Sequence, residues 1–486
     1  MAEIKLRLPA FWEFEKRHAS TVHVVGLDGI PWPCRVSIED DILTVSRNRD
    51  ESGKFFVSYP FKKYGELTIA SGTLPESKTP YDLVTELARG TLNRLRNQTS
   101  IWEEGGLTIS DEVRRLTNGA TELLSQSIMT TADSDSVAAS DVEKIKDTRA
   151  QEALELAMDA IFAISDDFGE RVANFRANHN EISPFWFAGS GAVPSGEKQD
   201  REKFDLWETE LGLGSAIDEN VNQKIIYGPI LDASVNGTSN GYDLSEQESE
   251  VRRQKLVSYC NQALTELPGN VSLIHAVSGL NGTGHRNMSF PQQLQLTADV
   301  LGQIEKSGSK VPTLVSFDFP WAERLASSVG GTHPLQIADS LLRQGLPISY
   351  LGLEVNLDYW PAGSVSRDPL QWIDLIDVWS QLGLPLVFLL RVPQQGSVKA
   401  EATSEDAEKT VNTVRENLTD QQRRLLMETV LPMLIARPNV HGVIWRQWGD
   451  NDDVRFPIAG LTDTDGQKKP IFEQIQNVRT TILGRD

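Results

Sequence analysis

The chain has 486 residues and a formal charge of −21, with 47 Lys and Arg against 68 Asp and Glu. That balance argues against nucleic acid and anionic membrane, which need basic patches, and leaves a neutral polymer such as a polysaccharide open as a partner. The length asks for two or three domains; the leading MAEIKLRLPAFWEFEKR lacks the apolar run of a signal peptide, and no stretch approaches the roughly 18 apolar residues of a spanning helix, so a soluble, cytoplasmic protein is expected.

Residues 1–78 read as short strands, TVHVVGLDG, CRVSIEDDILTVSRN, KFFVSYPF and ELTIASG, divided by Gly, Pro, Asn and Asp. A small β-sandwich-like domain is expected. Trp12, Trp32 and Phe56 would form its core, or alternatively platforms for a sugar. Cys34 and Cys260 are too few for a disulfide framework and wrongly spaced for zinc, so both are expected to pack inertly in a reducing compartment.

From Tyr81 the period becomes helical, with Val84, Leu87, Ala88, Thr91, Leu92 and Leu95 on one face. A second helix is expected over 110–128. Ser140-Asp-Val-Glu143 reads as a capping box opening a third, with Leu154, Ala157, Ile161, Ile164 and Phe168 inward. Residues 79–180 are thus expected to be a helical hairpin or bundle.

From about 181 to the end, apolar strand-like runs alternate with helical stretches, the signature of parallel β/α units. Seven runs are clear: PFWFAG, KIIYGPILD, VSLIHAVSGLN, PTLVSFDFPW, ISYLGLEVNL, LPLVFLLRV and VHGVIWRQW. An eighth is expected near LGLGSAI, 211–217, or just before it, completing a (β/α)8 TIM barrel and placing the chain in the α/β class. No glycine-rich phosphate loop follows any strand, so nucleotide use has no support. Trp372 and Trp379, on a helix expected at 370–382, have the spacing of core residues, and 398–415 reads as a solvated loop passing into a helix.

In such a barrel the active face is built from the carboxyl ends of the strands, where polar groups need a reason. The tips offer Asp232, His275, Asn281, His285, Asp318, Trp321, Glu323, Glu354, Asn356, Asp358, Tyr359, Trp445, Gln447, Trp448 and Asp450. Acids at barrel tips in clefts are over-represented in functional sites. The acids of 450–453 lack the pattern of a calcium loop and the histidines never occur as HxH or HExxH, so neither metal nor cofactor is expected.

The end of the chain, VHGVIWRQWGD followed by FPIAGLTDTDGQKKPIFEQI, resembles the eighth strand and last helix of glycoside hydrolase family 10, with its W-G-x-x-D and L-F-D-x-x-G-x-P-K-P-A patterns. Leu351-Gly-Leu-Glu354-Val-Asn356 is similar to that family's sixth-strand G-I-G-L-Q-G-H, with a glutamate at the glutamine position. The resemblance covers roughly 183–478. It puts Gly279 at the family's fourth-strand glutamate and Phe388-Leu389-Leu390-Arg391 in place of its seventh-strand T-E-L-D, so that both catalytic glutamates are replaced. It implies a carbohydrate-active protein hydrolysing O-glycosidic bonds of a β-linked poly- or oligosaccharide. Glu354 would be the nucleophile or base and Asp318 or Asp450 the proton donor. Trp321, Trp445, Trp448, Tyr359, Asn356, Asn281, His285 and Asp232 would hold the sugar. The alternative is a pseudo-enzyme that binds a saccharide or a protein partner and cuts nothing.

Overall fold

The computed structural model describes residues 2–130, 139–179, 185–193, 198–209, 223–233, 238–239, 242–243, 249–265, 267–281, 289–327, 331–394, 419–450 and 455–485. The first strand, β1 (Ala2–Arg7), lies in the stretch inspected above only for a signal peptide, and its alternation buries Ala2, Ile4 and Leu6. After a short helix α1 (Lys16–Ala19) come β2 (His23–Val25), β3 (Pro31–Trp32), β4 (Cys34–Glu39), β5 (Ile42–Arg47), β6 (Gly53–Phe61), β7 (Gly65–Leu74) and β8 (Tyr81–Asp82). They form two four-stranded sheets, ordered β4-β5-β1-β8 and β3-β2-β6-β7. Trp12 and Trp32 are core residues of this part. Burial pushes the Cys34 thiol up to about 11 and the Cys260 thiol to about 12, so both stay protonated.

Helices α2 (Leu83–Glu104), α3 (Asp111–Met129) and α4 (Ala139–Asn178) follow. Ser110 caps α3 by accepting from the Val113 amide. Ser140 is already helical, one residue inside α4, so the start of that helix is not set by a box at Ser140–Glu143. Helix α2 lies so close to β7 that a Cβ on Gly90 would stand 2.3 Å from the Ala70 carbonyl oxygen. Stacked pairs Tyr64–Phe162 (3.9 Å) and Trp102–Phe168 (4.3 Å) fasten α4 to the sheet and to α2.

The rest of the chain is a closed parallel barrel. Its elements in order are β9 (Trp186–Ser190), α5 (Lys198–Arg201), β10 (Leu206–Thr209), β11 (Lys224–Tyr227), β12 (Leu231–Asp232), the small ribbon β13 (Thr238–Ser239) and β14 (Tyr242–Asp243), α6 (Ser249–Thr265), β15 (Val271–Leu280), α7 (Phe290–Lys306), β16 (Thr313–Asp318), α8 (Pro334–Arg343), β17 (Tyr350–Asn356), α9 (Pro369–Ser380), β18 (Leu386–Arg391), α10 (Asp420–Ala436), β19 (Val440–Trp445) and α11 (Pro470–Leu483). Strands β9, β10, β11, β15, β16, β17, β18 and β19 each pair in parallel with the next, and β19 returns to β9. This is the (β/α)8 arrangement expected from the sequence. The weak eighth run is β10, immediately ahead of 211–217, which lies outside the described residues, as does 398–415. No helix among the described residues is long and apolar enough to cross a membrane.

Inside the barrel, alternation sorts the side chains into layers. Ala188, Leu206, Ile226, Leu273, Leu314, Val387, Leu389 and Ile444 form one apolar cluster. The positions between them face the helices and join a second, larger cluster running from Ile4 to Ile482.

Candidate functional site

Two residues beyond that apolar cluster along each strand, toward the carboxyl end, the sequence turns polar: Ser190, Glu208, His275, Ser316, Glu354, Arg391 and Arg446, with Gly228 completing the ring. Glycine is required at 228, where φ is 135° and a Cβ would stand 2.2 Å from the His275 carbonyl oxygen. It is also required at 352, just below Glu354, where a Cβ would meet the Ser316 Cβ at 2.4 Å.

These side chains are linked across the barrel. Arg446 lies 3.4 Å from Glu208 Oε1, and the same oxygen is 2.6 Å from His275 Nδ1. His275 Nε2 is 2.8 Å from Ser316 Oγ, which donates to Glu354 Oε1 at 2.5 Å. The Gly279 amide donates to the same Glu354 oxygen at 2.6 Å. All four linking side chains are buried. Burial would raise the Glu208 carboxyl, but Arg446, His275 and Ser190 outweigh it and hold the group down at about 2.

Asp318, two residues beyond Ser316 on β16, is the register partner of Glu354 on β17. Asn356 donates to Asp318 Oδ1 at 3.2 Å and accepts from Arg391 at 3.0 Å, while the Phe319 amide donates to the same aspartate oxygen at 3.0 Å. Burial first, and then the charge of Glu354, push the Asp318 carboxyl up to about 8. Backbone strain gathers at these two tips: Phe319, Ala322 and Asp358 all have positive φ, between 49° and 60°.

The other expected site residues are placed as follows. Asp450 is buried and paired with the equally buried Lys469, and it accepts from the Gly460 amide at 3.0 Å. Asp232 ends β12 with Arg455 at 3.8 Å, and Asn281 follows β15 with φ 70°. His285 lies outside the described residues. Trp445 faces outward because Ile444 takes the inward position; it is fully buried and donates to the Ala459 carbonyl at 2.9 Å. Trp448 is wedged edge-on between Trp207 and Phe472, and Tyr359 is buried with its hydroxyl on the Pro457 carbonyl. The stacking faces expected of these three rings are therefore occupied by packing. Trp321 is half-buried, edge-on to Trp372 at 5.3 Å with the Arg367 guanidinium 5.0 Å from its ring. Glu323 is buried in the 3-10 turn after β16, and Asp358 accepts from the Ser366 amide and from Arg423.

The sequence reading missed Glu208, Ser316 and Arg446 as members of this layer. An inward-facing acid two residues after Leu206 was the available signal, but it sits on the strand that the pattern located least well. Among the described residues, no group of three His, Cys, Asp or Glu side chains is gathered for a metal ion.

No family model matches the chain, and no curated protein sequence does. Among solved structures it is similar to native xylanase 10B from Thermotoga maritima, at 10% identity and a TM-score of 0.42, over 66% of this chain and 99% of that one. Xylanase 10B from Thermotoga petrophila RKU-1, solved in complex with xylobiose, gives 12% identity and a TM-score of 0.44 over 65% and 97%. An intracellular xylanase from Thermoanaerobacterium saccharolyticum gives 12% and 0.41 over 61% and 97%. Likeness at this level assigns no role to any residue.

Proposed function

We propose that the barrel hydrolyses O-glycosidic bonds of a β-linked saccharide, with Asp318 as the proton donor and Glu354 as the nucleophile or base. The observation that carries this reading is the in-register pair itself: Asp318, held up at about 8, retains a proton at neutral pH directly beside a second carboxyl group. One group to protonate the leaving oxygen and another to attack or to activate water are what this hydrolysis needs. Neighbouring strands are about 4.8 Å apart, which suits the narrow separation, near 5–5.5 Å, of a retaining pair better than the wider inverting one. Asp450 is the poorer donor because its carboxyl is committed to Lys469.

The test is reducing-sugar release from a panel of soluble β-linked polysaccharides by wild type, Glu354→Gln and Asp318→Asn. Each variant should lose about a hundredfold to ten-thousandfold in rate with its thermal melt retained. The wild-type rate should fall as pH rises through about 8, where Asp318 gives up its proton.

The second reading, a barrel that binds a saccharide or a protein partner without cutting, has its own support. Both carboxyls are about 3–4% exposed, and the resemblance of the sequence sets Gly279 and the stretch Phe388-Leu389-Leu390-Arg391 against the two segments that carry the family's glutamates. Wild type inactive on every substrate, yet binding a saccharide by calorimetry, would select this reading.

A further inference from the structure

Proton counting along the buried chain fixes more than the position of Glu354. Glu208, held down at about 2 with Arg446 beside it, is a carboxylate that can only accept, so His275 Nδ1 carries a hydrogen toward it. Ser316 has one hydroxyl hydrogen and stands within bonding distance of both His275 Nε2 and Glu354 Oε1. Two arrangements satisfy every contact. In one, His275 carries hydrogen on both nitrogens, Nε2–H donates to Ser316, and the serine hydroxyl donates to the Glu354 carboxylate. In the other, Glu354 is protonated and donates to Ser316, whose hydrogen points at a bare Nε2. The set holds one shared proton, and the two arrangements interconvert when the Glu354 O–H and Ser316 O–H bonds break as the Ser316 O–H and His275 Nε2–H bonds form. The Gly279 amide aimed at Glu354 Oε1, and the Glu208 charge behind the imidazole, favour the first.

We infer that His275 is a positioning residue that stores the proton of Glu354 inside the barrel and exchanges it through the Ser316 hydroxyl. The inference deepens the proposed role of Glu354 and rests on it only for its catalytic consequence. The charged and titratable groups facing the relay are Glu208 from β10, Arg446 after β19, Asp318 from β16 and Arg391 from β18.

The test is ring-nitrogen NMR on the full chain labelled at histidine, with the His275 signals assigned by their loss in His275→Asn. At neutral pH, Glu354→Gln should move the Nε2 resonance from the N–H range to the bare-nitrogen range. The same substitution in a Ser316→Ala background should move it no further than Ser316→Ala alone. If Ser316→Ala fails to melt cooperatively, Ser316→Gly, which likewise removes the hydroxyl, replaces it with the same expectation. An Nε2 signal indifferent to Glu354→Gln, or shifted equally with and without Ser316, overturns the relay. If wild type releases sugar, Ser316→Ala should lower kcat about tenfold or more, leave KM within about twofold and displace a limb of the pH profile. If wild type releases none, the hydrolase reading fails while the NMR result still decides the relay.

Discussion

The Asp318 carboxyl makes a quantitative prediction about stability. Its ordinary value is 3.8 and in the fold it stands at about 8, so the folded state holds a proton that the unfolded chain releases. Stability from this group is therefore full below about pH 4, declines by about 1.4 kcal/mol per pH unit, and is lost once pH passes about 8. At pH 7 the cost is roughly 4 kcal/mol. Asp318→Asn abolishes the titration yet keeps an oxygen to accept from the Phe319 amide and the Asn356 side chain. Urea unfolding of both proteins at about pH 5, 6, 7 and 8 gives a difference in which the other acidic groups cancel. The variant should gain on wild type by about 1.4 kcal/mol per unit as pH rises. Two stability curves that run parallel would refute the assignment of the proton to Asp318. Because Glu354 is its neighbour, Glu354→Gln run alongside tells whether the proton belongs to one residue or to the pair.

Lys469→Met strands the Asp450 charge among buried groups and should cost about 3–5 kcal/mol, most of it recovered in Asp450→Asn/Lys469→Met, both read by denaturant midpoint. Gly90→Ala drives a methyl into the Ala70 and Ser71 backbone and should cost about 1–3 kcal/mol or more, read from the thermal melt. Arg94 holds Asp368, the N-cap of α9, through two bonds of 3.1 and 2.7 Å; Arg94→Lys cannot reproduce the fork and should lose about 1–3 kcal/mol.

The barrel was legible because its strands are buried on both faces and so appear as continuous apolar runs between helical stretches. Leu206–Thr209 escaped clear detection because it is four residues long and half polar. Strand β1 hid for another reason: its alternation of Ala2, Ile4 and Leu6 with charged residues was masked by reading the amino terminus for a leader. Glu354 and Asp318 stood out as acids ending apolar runs. Their connections did not, because Glu208, His275, Ser316 and Glu354 are 67, 41 and 38 residues apart in successive links. A place near a strand tip did not reveal the burial of Trp445 and Trp448: strand parity with Ile444 turns Trp445 outward, and Trp448, beyond the strand, packs between Trp207 and Phe472.

Stability alone gives no reason for the polar layer. Barrel interiors are ordinarily filled by branched aliphatic side chains, and this barrel does so one layer lower with Leu206, Ile226, Leu273, Leu314, Val387, Leu389 and Ile444. Replacing that filling by two glutamates, two arginines, a histidine and two serines desolvates charges whose mutual attraction rarely exceeds the cost of removing them from water. Further along, toward the mouth, an aspartate is forced to keep its proton and three residues are held at strained backbone angles. Local rules broken together around Asp318 and Glu354, at the carboxyl end of the barrel, support the proposed site, because a filling chosen for stability alone would have extended the apolar layer upward.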